Sequence, residues 1–133
     1  MRRQKRGGTK PEVEVARLLR SLGVHYRSQS QNADLPGKPD FANRRRGWAV
    51  FVHGCYWHQH GGCSRATIPK ENREWWIAKF QANKERDARA LDSISALGMR
   101  AEVVWECELR VPEPVLRRLR ALTATSEPDR TEA

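Results

Sequence analysis

The chain has no apolar run long enough to cross a membrane and no hydrophobic leader at its start, which predicts a soluble protein of the cytoplasm. It is short of acid: 16 Asp and Glu stand against 25 Lys and Arg, a formal net charge of +9. A neutral or basic partner is therefore a poor match, and a polyanion a good one. It is short of cysteine. Three is an odd number in a chain without an export signal, so a disulfide framework is not expected, and reduced cysteines are. It has no internal repeat, which excludes a solenoid. At 133 residues it has room for one core.

The positive charge is clustered. Arg2, Arg3, Lys5, Arg6 and Lys10 crowd the start, Arg44, Arg45 and Arg46 form a second group, and Arg117, Arg118 and Arg120 a third. Any one such run reads as a solvated face. The three together favour nucleic acid.

Between the clusters, helical and strand patterns alternate. Thr9 and Glu12 are spaced as a capping box, with Pro11 in the first turn. Val15, Leu18, Leu19 and Leu22 follow with helical spacing, and Gly23 ends the helix. A short strand is expected at His25 and Tyr26, a polar turn-rich stretch over 29–37, a strand over 39–42 and a hairpin turn over 44–47. Residues 48–52 are continuously apolar and read as a buried central strand. Residues 71–97 read as a long helix, 101–105 as another apolar strand, and 112–122 as a short basic helix. The expectation is an α/β fold, a central mixed sheet flanked by helices. One domain would span 1–122, with 1–10 as a basic arm and 123–133 as a disordered tail.

The stretch "HGCYWHQHGGC", His53 to Cys63, puts three histidines and two cysteines directly after the central strand. Cys55, His60 and Cys63 are spaced so that one loop presents all three. Thiolate and imidazole donors suit tetrahedral zinc. The fourth ligand is expected from Cys107, just past the strand over 101–105. That requires the two strands to run parallel, so that both end at the same edge. The competing reading makes Cys107 a small buried apolar residue and leaves the loop without metal.

Four ordered blocks, "LPGKPDF", "VFVHGCYWHQHGGC", "NKERD" and "VVWECEL", resemble the very short patch repair endonucleases, the Vsr-type DNA mismatch endonucleases. The resemblance runs from about Thr9 to Leu109. It implies a restriction-endonuclease-like fold with structural zinc and catalytic magnesium. It also implies an enzyme that nicks one strand of duplex DNA beside a T:G mispair left by deamination of 5-methylcytosine. By position, Asp40 would bind magnesium, and the backbone carbonyl of Val52 would make a second contact. Hard magnesium prefers such oxygen donors. His58 would be the general base on the attacking water, and His53 would touch the scissile phosphate. Glu12 matches a further active-site acid, although its capping box alone would explain it. Tyr56 and Trp57 match aromatics that push into the base stack beside the mispair. Packing into the core is the alternative for them.

Asp87 falls in the apolar stripe of the long helix marked by Trp76, Phe80, Leu91 and Ile94, where an unpaired carboxylate would be costly. Its expected partner is an active-site histidine such as His58, or equally an arginine; Asn83 lies at the edge of the same face. The chain departs from the family in the extra length of Gly61-Gly62. It also begins near where the family's DNA-embracing N-terminal segment ends, so grip and sequence preference are expected to differ. The reading is a monomeric magnesium-dependent DNA endonuclease near the nucleoid. Its partners are mismatched duplex DNA, contacted by Arg2, Arg3, Lys5 and Arg6 as well, and mismatch-repair proteins. A nickase of altered specificity serving restriction or defence, and a non-catalytic zinc-stabilised DNA-binding module, are the rival readings.

Overall fold

The computed structural model describes residues 10–124. The arm over 1–9, including the Thr9 half of the capping box, and the tail over 125–133 lie outside the described residues.

The elements run α1 (Lys10–Ser21), β1 (Arg27–Ser28), β2 (Phe41–Asn43), β3 (Trp48–His53), α2 (Arg73–Ala96), β4 (Arg100–Trp105) and α3 (Pro112–Thr123), with 3-10 turns over Gln29–Gln31 and Glu106–Arg110. The sheet order is β1-β2-β3-β4. The first three strands are antiparallel and β4 runs parallel to β3. The sheet is therefore mixed, as its apolar runs suggested. A parallel neighbour needs a long crossover, and the stretch holding α2 supplies it.

Side chains alternate across β3. Trp48 and Val50 join Val15, Leu19, Val104, Val115 and Leu119 in a core under α1 and α3. Ala49 and Phe51 join Leu35, Ala42, Ile94 and Met99 in a second core under α2. The same alternation puts His53 on the α2 face. Asp40 shares that face, two residues before Ala42.

Several boundaries differ from the expectations. The first strand is Arg27–Ser28, and Tyr26 instead packs edge-on against Phe41 at 5.0 Å. The second begins at Phe41, because Pro39 and Asp40 still belong to the loop that approaches it. Helix α2 starts two residues late. Of its expected stripe only Phe80 and Ile94 are buried. Its C-terminal half covers the sheet, while its N-terminal half projects past the sheet's end and leaves Trp75 59% exposed. Helix α3 takes in Thr123, whose hydroxyl donates to the Leu119 carbonyl. Arg118 is not part of a free basic face. It ion-pairs with Glu102 and Glu108 and donates to the Val103 carbonyl, clamping α3 to β4.

Two features set the approach to the site. Asn32 is fully buried and donates to the Arg27 and Pro39 carbonyls, both at 3.0 Å, which pins the loop before Asp40. Gly37 has φ +74, and a Cβ there would lie 2.6 Å from that of Ala90. Only glycine lets this loop pass so close to α2.

Candidate active site and metal centre

Register explains why the site gathers where it does. His53 lies opposite Trp105 in the parallel pair β3–β4, so Cys55 and Cys107 each follow two residues later at the same end of the sheet. The loop then turns back on itself, with the His58 amide donating to the Gly54 carbonyl and the His60 amide to that of Cys55.

Cys55, His60, Cys63 and Cys107 converge, their ligand atoms all within 4.8 Å of one another. His60 Nδ1 lies 3.8 Å from Cys55 Sγ and 3.5 Å from Cys107 Sγ. Donors about 2.3 Å (sulfur) and 2.0 Å (nitrogen) from a tetrahedral zinc sit about 3.5–3.8 Å apart, so spacing and donor chemistry both fit. Electrostatics agree. Burial pushes the Cys55 thiol up to about 12, so a bound cation is what would make its thiolate tenable. The Arg65 backbone N–H draws the Cys63 thiol below its ordinary range. Trp105 stacks on His60 at 4.1 Å and meets His53 edge-on at 5.0 Å. This tryptophan joins the metal cluster to the cleft. Sequence reading gave it no role, because an apolar strand residue signals only packing.

On the α2 side of that strand end is a cleft of about 280 Å³ whose lining includes Glu12, Asp40, Val52, His53, His58 and Asp87. The five residues given catalytic roles thus line one cleft, although they come from α1, the loop before β2, β3, the loop after it and α2. Asp87 Oδ2 lies 2.6 Å from His58 Nδ1. This resolves the partner of Asp87 in favour of the histidine. An ionised carboxylate only accepts, so Nδ1 carries the proton and Nε2 is left as the basic nitrogen.

His53 is buried, and its Nδ1 has no hydrogen-bond partner among the described residues. Burial first, and the neighbouring His58 second, bring its pKa down to about 4. It is therefore neutral at physiological pH. Its ring stacks on His58 at 3.9 Å with 3° between planes. The ligand atoms of His53, His58 and Asp87 also cluster, but imidazole lone pairs lie in the ring plane. Parallel stacked rings do not aim them at one ion, so this trio suits proton transfer better than metal binding.

Asp40 is 8% exposed. Its Oδ2 accepts the Val52 N–H at 2.7 Å, and Gln29 Nε2 donates to Oδ1 at 3.4 Å. Burial drives its pKa up to about 7. The Val52 N–H opposes this, and the nearby Glu12 carboxylate adds to it. Glu12 thus faces the cleft, whatever Thr9 does. A strand residue's N–H and C=O point to the same edge, so the Val52 carbonyl is directed to the Asp40 side as well. Two crowded carboxylates, one reluctant to ionise, with a carbonyl beside them, are hard oxygen donors suited to magnesium.

Beside the cleft is an aromatic ridge. Trp57 is 53% exposed, whereas Tyr56 packs edge-on against Phe80 at 5.3 Å. Trp76 and the exposed Trp75 continue the ridge. Asn83 donates to the Trp57 carbonyl at 3.1 Å, tying the loop to α2. Of the residues given DNA contacts, Tyr56 and Trp57 immediately precede the cleft residue His58 in the chain, and Arg2, Arg3, Lys5 and Arg6 lie outside the described residues.

Comparison with known proteins bears on this arrangement. The family model for DNA mismatch endonuclease Vsr matches residues 1–65. The chain is 45% identical to the type II nicking enzyme V.XorIIP of Xanthomonas oryzae pv. oryzae over 101 residues, 76% of this chain and 72% of the relative. It is 39% identical to V.NmeAIP of Neisseria meningitidis serogroup A, over 77% of this chain and 71% of the relative. It is 40% identical to the DNA mismatch endonuclease Vsr of Escherichia coli K12, over 74% of this chain and 62% of that protein. On these matches the chain belongs to the Vsr DNA mismatch endonuclease family.

Proposed function

We propose that this protein is a magnesium-dependent endonuclease of restriction-endonuclease-like fold that nicks one strand of duplex DNA beside a T:G mismatch. The observation that carries the reading is the His58–Asp87 pair at 2.6 Å in the same cleft as Asp40 and Glu12. A general base oriented by a carboxylate, next to a hard-metal site, is the equipment that phosphodiester hydrolysis needs. Family membership supports the DNA-nicking activity. The T:G preference rests on the likeness to the mismatch endonuclease and on the aromatic ridge.

Asp40, Glu12 and the Val52 carbonyl would hold magnesium. When bound, magnesium supplies positive charge against the phosphate oxygens. His58 Nε2 takes the proton of the attacking water. Asp87 holds the ring in the required tautomer and stabilises the charge it acquires. His53, neutral and dry, offers its second nitrogen to the phosphate. Cys55, His60, Cys63 and Cys107 would hold a structural zinc that stiffens the loop carrying both His58 and Trp57. A non-catalytic zinc module would require none of the cleft chemistry.

Removing the base or its orienting partner separates these roles. His58→Ala should cost at least ~100-fold in nicking rate. Asp87→Asn should also slow nicking, because an amide can present its N–H to Nδ1 and reverse the tautomer. The check is the single-turnover nicking rate of each variant; wild-type rates in both would return the proton transfer to another group.

The test of the function as a whole is nicking of T:G and fully paired T:A duplexes, with and without magnesium. Trp57→Ala should keep nicking of both but lose most of the difference between them. Wedging an aromatic into the stack costs a few kcal/mol, less where pairing is already weak. Tyr56→Ala should have a smaller effect on the ratio and also lower stability, since Tyr56 packs on Phe80. A wild-type ratio in Trp57→Ala would refute the wedge. Because V.XorIIP and V.NmeAIP are named nicking enzymes, the second reading is a nickase with a different preference. It is favoured if wild type cuts T:A as fast as T:G.

A further inference from the structure

Apart from the catalytic cleft, the described residues form a pocket of about 750 Å³ at the β1 edge of the sheet. Its lining includes Arg27, Arg44, Arg45 and Arg46, with Asp34 as its one acidic residue. Asp34 ion-pairs with Arg44 at 2.7 Å. Neither the Arg27 nor the Arg46 guanidinium is ion-paired with a carboxylate among the described residues, so the pocket keeps a surplus of positive charge.

The turn that presents these arginines is held in place. Asn43 Oδ1 accepts the Arg46 N–H at 3.0 Å, and Asn43 Nδ2 donates to the His25 carbonyl at 3.1 Å. Gly47 closes the turn at φ +76, with its N–H on the Asn43 carbonyl at 2.8 Å. A rigid mount lowers the ordering cost of binding, and planar guanidinium forks match phosphate oxygens. The turn is the tip of the β2–β3 hairpin, whose other end carries Asp40 and Val52. Gly47 at the turn and Val52 are about five residues apart, about 17 Å at the usual rise. Duplex DNA covers that distance in about five base-pair steps.

Resting on the proposed function, we infer that this pocket is a second phosphate-binding site. It takes the sugar-phosphate backbone of the same duplex on one flank, about five base pairs from the nicked bond. It grips without reading sequence, so it acts equally on matched and mismatched DNA.

The experiment measures binding of matched and T:G duplexes over a range of salt concentrations, without magnesium, for wild type and the double variants Arg27→Ala/Arg46→Ala and Arg27→Lys/Arg46→Lys. Zinc content and melting temperature serve as fold controls. The alanine pair should bind about tenfold more weakly on both duplexes and lower the salt slope by about 2, near 0.9 per lost phosphate contact. The lysine pair should keep the wild-type slope. Trimming one flank of the duplex to three base pairs should give wild type the alanine variant's slope. An unchanged slope in the alanine pair, with binding and nicking by wild type intact, overturns the inference alone and leaves the pocket to an acidic protein surface. A wild type that neither binds nor nicks duplex DNA overturns the proposed function and this inference with it.

Discussion

Asp40→Asn is expected to lower nicking by roughly a thousandfold or more, since the magnesium charge it is proposed to hold would be worth several kcal/mol to the transition state. Zinc content should be unaffected, because Asp40 is not among the converging sulfur and imidazole groups. Stability should change in a direction that the burial of Asp40 dictates. Its folded-state pKa is raised to about 7 from 3.8. Between those values the folded protein keeps a proton that the unfolded chain gives up. Stability therefore falls as pH rises through that window. Asparagine removes the titration. Without added magnesium the variant should match wild type near pH 4, gain progressively up to pH 7, and stay ahead above it by up to about 4 kcal/mol. Melting temperatures from pH 4 to 8 measure this. A difference that does not vary with pH would show that Asp40 is not buried beside Glu12 as described, and an asparagine variant that nicks at the wild-type rate would remove Asp40 from the mechanism. The readouts are separable, because the stability change belongs to the carboxyl's surroundings and the rate change to its use.

Cys107→Ser should have the largest effect on the protein as a whole. Zinc should co-purify with wild type at about one per chain and with the variant at a small fraction of that. A structural zinc contributes directly to folding free energy, of order ten kcal/mol in small zinc-dependent peptides. Here two hydrophobic cores remain, so the variant should stay folded with a melting temperature lowered by roughly ten degrees or more. Activity should fall with it. The loop from Cys55 to Cys63 carries His58 and Trp57, and without the metal its outer end is held mainly by the Asn83 bond to the Trp57 carbonyl and by Asp87 on His58. Atomic emission, thermal melting and a nicking assay on one preparation check all three effects. Full zinc retention would replace the four-ligand site with one that does not use Cys107.

These two predictions draw on different kinds of information. The helices and strands could be read from periodicity because they answer to local rules. Val15, Leu18 and Leu19 repeat at helical spacing, and the apolar run from Trp48 can only be a buried strand. The candidate metal loop was legible for a similar reason: three groups able to bind a metal within nine residues, Cys55 to Cys63, need no tertiary knowledge to be grouped. The likeness in four blocks brought Asp40, His53 and His58 into view together. Less was legible where neighbours are distant in the chain. That Cys107 completes the cluster depends on β4 running parallel to β3 with His53 opposite Trp105, a register that no local pattern encodes.

The stripe of α2 was misjudged because amphipathic spacing says which residues share a face, not how far the sheet beneath it extends. Trp76 and Leu91 share the spacing of Phe80 and Ile94 without their burial. Arg118 looked like surface charge until Glu102 and Glu108 met it. Asp87 could be known to need a partner, since a carboxylate on an apolar face is costly. Choosing His58, 29 positions away, over an arginine required α2 to be laid across the end of β3. By itself the sequence determined the elements, the ligand loop and the chemistry available. The tertiary structure alone decided which of those groups meet, because hydrogen bonds, ion pairs and metal sites act over a few ångströms, and only the packed chain brings distant residues that close.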